Sequence, residues 1–173
     1  TLWQRTLAKG SHIDVVNAQE LALLQKSGQF EIVDVVGGQV LASATLETPD
    51  SISDIVVQRR LERLVVVVNE PEKANNPIQI VQQPTPGHRS VNGELYILEE
   101  DGKEISHSRF EQQSLKLNQP EQLPLLILFR RYQERKPVGN AGGFTYGQPK
   151  TKVALIDVRT GRTVHQFDRG FGS

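Results

Sequence analysis

The chain has no cysteine and no methionine. Without thiols there is no disulfide, no thiol nucleophile and no cysteine-held zinc. That absence suits a reducing cytosol and a bacterial periplasm equally, so it locates nothing. Long apolar runs are also missing: the most apolar stretch, Leu125 to Phe129, falls far short of the about 20 residues that span a bilayer. No membrane span or signal-peptide core is seen, and no Asn-x-Ser/Thr sequon. Net charge is zero, which removes the uncompensated positive field that draws proteins to nucleic acid or anionic lipid.

Familiar chemical motifs are absent too. His12, His88, His107 and His165 are widely separated, with no His-x-His or His-Glu-x-x-His pair. Asp101-Gly-Lys-Glu104 lacks the alternating carboxylates of a calcium loop. No Gly-x-Ser-x-Gly elbow occurs, and Ser90 sits at the wrong glycine spacing. The Gly-rich segment Gly139 to Thr151 lacks the Gly-Lys-Ser/Thr ending of a phosphate loop and leads into a strand rather than a helix. It reads as a surface loop carrying Phe144 and Tyr146. No metal and no cofactor is expected.

What is present is organised around Leu123 to Lys136, which begins apolar and ends basic. Pro124 suits the start of a strand better than a helix interior. The chain changes character here. Residues 1–129 carry 11 Lys/Arg against 17 Asp/Glu, and residues 130–173 carry 9 against 3, about −6 and +6. Arg130, Arg131, Tyr132, Arg135, Phe144, Tyr146, Arg159 and Arg162 make the late part basic and aromatic, the composition of protein-binding hot spots and of single-strand platforms.

In chain order, residues 1–9 read as a short packing segment and His12 to Val16 as a strand. Asn17, with Glu20 three residues on, apolar 18, 21, 22 and 24, and Gly28 beyond Lys26, predicts a capped helix. A hairpin follows around Gly37-Gly38. Ser51 to Leu61 has a helical pattern, and the valine-rich Leu64 to Val68 a strand pattern. Ile78 to Val81 reads as a short strand, and residues 82–87 as a possible subdomain joint. Two more hairpins are predicted, around Asp101-Gly102 and around Arg159 to Arg162. These elements predict one α+β domain over residues 1–173, its mainly antiparallel sheet built from three hairpins with one or two short helices.

Two segments carry a resemblance. Ala154 to Gly170, with Ala-Leu-Ile-Asp, a Thr-Gly turn and a bulky residue after it, resembles one repeat of the quinoprotein-type β-propellers. His165 stands where that family has tryptophan and no second copy is found upstream, so the segment is read as a shared hairpin solution. Leu24 to Asp34 resembles the helix-to-strand phrase of bacterial envelope proteins of the TolB and penicillin-binding-protein-activator kind. Together they imply a bacterial envelope or periplasm, with cytoplasm as the alternative. The functional expectation is a non-catalytic binding or assembly module whose basic, aromatic late surface docks a protein partner or another copy. The alternatives are a hydrolase with an unrecognised site and a single-strand nucleic-acid binder.

Overall fold

The structure, a computed structural model, describes residues 3–71, 91–116, 122–132, 135–138, 143–148 and 150–170. Among these residues there are thirteen strands and no helix. The α+β expectation is therefore corrected to an all-β architecture. The segments 78–81 and 82–87, expected as a strand and a joint, lie outside the described residues.

The first four strands are β1 (His12–Asn17), β2 (Glu20–Leu24), β3 (Gln29–Asp34) and β4 (Val40–Thr45), an antiparallel meander in that order. The predicted helix from Asn17 is in fact the β1–β2 turn and the strand after it. Asn17 Oδ1 accepts from the Gln19 backbone N–H at 2.8 Å, and its amide donates to Glu20 Oε2 at 2.8 Å. A residue pair that reads as a helix cap thus closes a hairpin. Leu21 to Leu24 is a continuous apolar run, which periodicity cannot assign to helix or strand. Three of its four residues are buried. The hairpin expected around Gly37-Gly38 is β3–β4, with Gly38 at φ 70°.

The second helix expectation fails in the same way. Residues 51–61 contain β5 (Asp54–Arg60), which pairs with β6 (Arg63–Asn69) across Leu61 and Glu62. Both of those residues have positive φ, 47° and 59°, the backbone of a two-residue hairpin turn. Then come β7 (Val91–Glu99) and β8 (Glu104–Lys116), joined at Asp101-Gly102 as expected. The basic-ended apolar run is β9 (Leu125–Tyr132). Next is β10 (Arg135–Val138), and the segment read as a Gly-rich loop holds its antiparallel partner β11 (Gly143–Tyr146). The chain closes with the third expected hairpin, β12 (Lys150–Asp157) and β13 (Thr163–Gly170).

Strands β5 to β9, β12 and β13 form one seven-stranded sheet in the order β13-β12-β9-β8-β7-β6-β5. It turns at β8, whose first part pairs with β7 and whose last three residues pair with β9. The result is three antiparallel layers: β1–β4, β5–β8, and β8 with β9, β12 and β13. The middle layer is buried on both faces. Leu64, Val66, Val68, Tyr96 and Leu98 meet Leu24, Phe30, Ile32 and Ala42 of the first layer. Val65, Val67, Leu95 and Ile97 meet Leu126, Leu128 and Ile156 of the third. Four consecutive valines are explained by this: successive strand residues face opposite ways, and here both ways lead inward.

Residues 3–8 run along the other side of the first layer, and burial alternates along them. The Trp3 indole N–H donates to the Val35 carbonyl, its side chain rests on Gly38, and Arg5 pairs with Glu31. Any Cβ at position 38 would stand 2.8 Å from the indole.

Candidate functional site

The eight residues singled out in the sequence fall into two groups at opposite ends of the third layer. Arg130, Arg131 and Tyr132 end β9, opposite Lys152, Thr151 and Lys150 of β12. Beyond them, Arg135 pairs with Tyr146, and Phe144 with Pro137. The side chains of Arg130, Arg131, Tyr132, Arg135, Phe144 and Tyr146 lie outside the described residues. Arg159 and Arg162 lie in the β12–β13 turn, exposed. Asp157 is paired with Leu125 and Lys150 with Tyr132, so the length of β12 separates the groups, about 23 Å at the rise of a strand.

The β12–β13 turn is firmly built. Asp157 Oδ1 accepts from the Arg159 N–H at 2.8 Å, and its carbonyl accepts from the Gly161 N–H at 2.7 Å. The Asp157 N–H donates to the Arg162 carbonyl at 2.9 Å, and Val158 N–H to the Pro124 carbonyl at 2.8 Å. Gly161, at φ 68°, presses on β8: a Cβ there would overlap Ser106 Oγ. The turn's two guanidinium groups are therefore carried on a fixed base. Neither is in an ion pair among the described residues.

The earlier arginines behave differently. Arg5 pairs with Glu31, Arg59 with Glu20 and Glu100, Arg63 with Glu99, and Arg109 with Glu94 and Glu70. These four guanidinium groups are neutralised locally, and those of the last turn face solvent.

Strands β7 and β8 also hold, with Glu70 just after β6, a polar cluster that the sequence reading missed. Arg109 reaches Glu94 and Glu70 at 2.6 Å each, and His107 Nε2 lies 2.9 Å from Glu94. The His107 ring stacks on Tyr96, centroids 4.2 Å apart. Glu94, Glu70 and Tyr96 are buried. The two carboxylates hold the Arg109 guanidinium in its charged form above its ordinary range. Burial first, and the charges of Glu94, Glu47 and Glu104 after it, push the Tyr96 phenol up; its hydroxyl donates to the Glu47 carbonyl. The signal was available: folding the chain symmetrically about Asp101-Gly102 sets Glu94 opposite Arg109 and Tyr96 opposite His107.

This cluster places a histidine beside a carboxylate, as a hydrolase would need, but on the flank of a sheet. Two depressions among the described residues are open and polar, one lined by Glu62, Arg63, Glu99, Glu100, Asp101 and Lys103, the other by Ser27, Gln29, Ser43, Ala44 and Thr45. Neither includes His107. No group of three or more His, Asp or Glu residues suited to a metal occurs among the described residues. No helix among them is long and apolar enough to cross a membrane.

No family model and no curated protein matches the chain. Solved structures that it is similar to include BamB from Moraxella catarrhalis, at 10% identity and a TM-score of 0.26. Another is the Cps50 (Swd1) beta-propeller domain of Myceliophteria thermophila, at 7% identity and 0.25. Each alignment covers 86% of this chain, with 58% of the BamB chain and 70% of the Swd1 domain. The chain thus spans under two thirds of the BamB structure, and both likenesses are too distant to assign it an activity.

Proposed function

We propose that the protein is a non-catalytic module that docks a protein partner through the third layer, with the β12–β13 turn as one contact. One observation carries this reading. Arg159 and Arg162 stand exposed on a rigid turn without an ion pair among the described residues, whereas Arg5, Arg59, Arg63 and Arg109 each hold a glutamate. Arginine supplies much of the energy at protein interfaces when a partner carboxylate desolvates it. Apolar area is at hand: Val164 and Phe167 are 55% and 37% exposed, and the Phe167 ring lies 5.8 Å from that of His165. The expected partner surface is acidic with apolar side chains between the charges.

Photocrosslinking tests this. A photoreactive residue at position 162 gives discrete protein adducts in extract of the source cells, and one at exposed Lys26 does not. Excess unlabelled protein suppresses the adducts, and excess Arg159→Glu/Arg162→Glu protein fails to. Indistinguishable labelling from the two positions would sink the reading. Suppression by a short oligonucleotide would move it to single-strand nucleic acid. The envelope setting belongs to the same proposal, resting on the Ala154 to Gly170 resemblance alone because Leu24 to Asp34 joins two strands, and cell fractionation checks it.

A further inference from the structure

The four strands that end the two large sheets are β1, β4, β5 and β13. Exposed strand edges present unpaired N–H and C=O groups, and proteins blunt them with charges, prolines or covering segments. Three of the four are blunted here. Strands β1 and β5 lie against one another, and the Asp14 carboxylate of β1 accepts the Val57 N–H of β5 at 2.6 Å. On β4 the Ser43 N–H donates to the Asp101 carbonyl at 3.2 Å, with Gly102 packed on the Ser43 backbone.

Strand β13 is closed in neither of these ways among the described residues: its charges, Asp168 and Arg169, stand near its last residue, and its ladder shift falls near its start, at Val164. Its eight residues, Thr-Val-His-Gln-Phe-Asp-Arg-Gly, contain no proline and no lysine, and residues 163–168 are all exposed. No further strand pairs with it among the described residues. Phe167 and His165 stand opposite Val153 and Leu155, on one face. Val164 is exposed on the other. An added strand would find apolar side chains on both faces and the guanidinium groups of Arg159 and Arg162 at one end.

We propose that the outer edge of β13 accepts an extended segment of a partner polypeptide as an added strand. That segment is rich in β-branched residues and carries acidic residues where it passes the turn. The inference rests on the docking reading above and gives it a mode: main-chain hydrogen bonds supply affinity, and the alternate side chains and the charge supply choice. Charge is also why a second copy is the poorer occupant. Two β13 edges meeting would bring together two parts of the chain that each carry about +6.

The test uses the whole chain and three synthetic peptides of eight residues, matching β13. The first alternates valine and threonine and ends in aspartates, the second has lysines for the aspartates, and the third is the first with alternate backbone nitrogens methylated. Fluorescence anisotropy should show the first binding and the other two weakened by about tenfold or more. Val164→Lys and Phe167→Lys should weaken the first peptide by about as much, with circular dichroism unchanged because both sites are exposed. Equal binding of the methylated peptide, or no binding of the first, would overturn strand addition while leaving the photocrosslinking result at position 162 untouched. A dimer in sedimentation that the two lysine variants dissolve would also overturn it, since a second copy would then hold the edge.

Discussion

Tyr96 shows how single residues tie the layers together. Its ring is wholly buried in the first core, its hydroxyl holds the Glu47 carbonyl in the link between β4 and β5, and His107 covers its face. Because the folded-state value is raised, the protein retains the phenol's proton where the unfolded chain has lost it. That contribution to stability is complete below the ordinary tyrosine value of about 10 and declines as pH rises above it. An alkaline titration followed by phenolate absorbance should therefore show at least one of the three tyrosines ionising together with unfolding. Tyr96→Phe should remove that coupling, at a cost of about 1 kcal/mol for the lost hydrogen bond. Arg109 is the other pivotal side chain. Replacing it with Ala leaves Glu94 and Glu70 nearly buried without their shared cation. Because Arg109 itself is 46% exposed, water relieves part of the penalty, and a loss of about 1–3 kcal/mol is expected in urea unfolding. Arg109→Lys should recover only part of it, since one ammonium cannot span both carboxylates as the fork does.

At the level of elements, the turns decide what was legible. Gly38, Gly102 and Gly161 all adopt positive φ, and the three hairpins they punctuate were readable because glycine there has a single ordinary meaning. The two supposed helices were misread for opposite reasons. Asn17 and Glu20 make hydrogen bonds that serve a helix start and a hairpin turn equally well. Leu61 and Glu62 turn the chain with no glycine at all, so nothing marked the reversal. Their left-handed backbone costs each residue of order 1 kcal/mol. L61N/E62G should accordingly raise the melting temperature by several degrees, the equivalent of about 1–2 kcal/mol, with the fold intact by circular dichroism. The candidate site was legible only in part. Composition pointed to the late arginines, and two of them, Arg159 and Arg162, are exposed with no ion pair among the described residues. Composition carries no register, however, so it could not foresee that β12 separates Arg159 and Arg162 from Arg130 to Tyr146.

Across the whole molecule, the middle layer couples two cores. Val66 serves the first and Val65 the second, yet the two are adjacent in β6. Val65→Ala and Val66→Ala should each cost about 1–3 kcal/mol, and each should shift a single transition rather than split it. Trp3 is the sole tryptophan and sits on the far side of the first layer, so its fluorescence and far-ultraviolet dichroism can be compared in one urea titration. Coincident curves are expected if the layers unfold as one unit; an early fluorescence change would show residues 3–8 leaving first.

Strand β8 holds a consequence of another kind. Phe110 and Leu115 both pack into the second core although five positions separate them, an odd interval that plain alternation would send to opposite sides. The ladder skips between Gly93–Phe110 and Val91–Gln113, where Glu111 and Gln112 stand against Asn92 alone, and this one supernumerary residue resets the parity. Deleting Gln112 would turn Leu115 outward, or force β9 to slide by a position and expose Leu126 and Leu128. Thus a single-residue frameshift in geometry, made far from the exposed arginines, would dismantle the platform on which they are mounted.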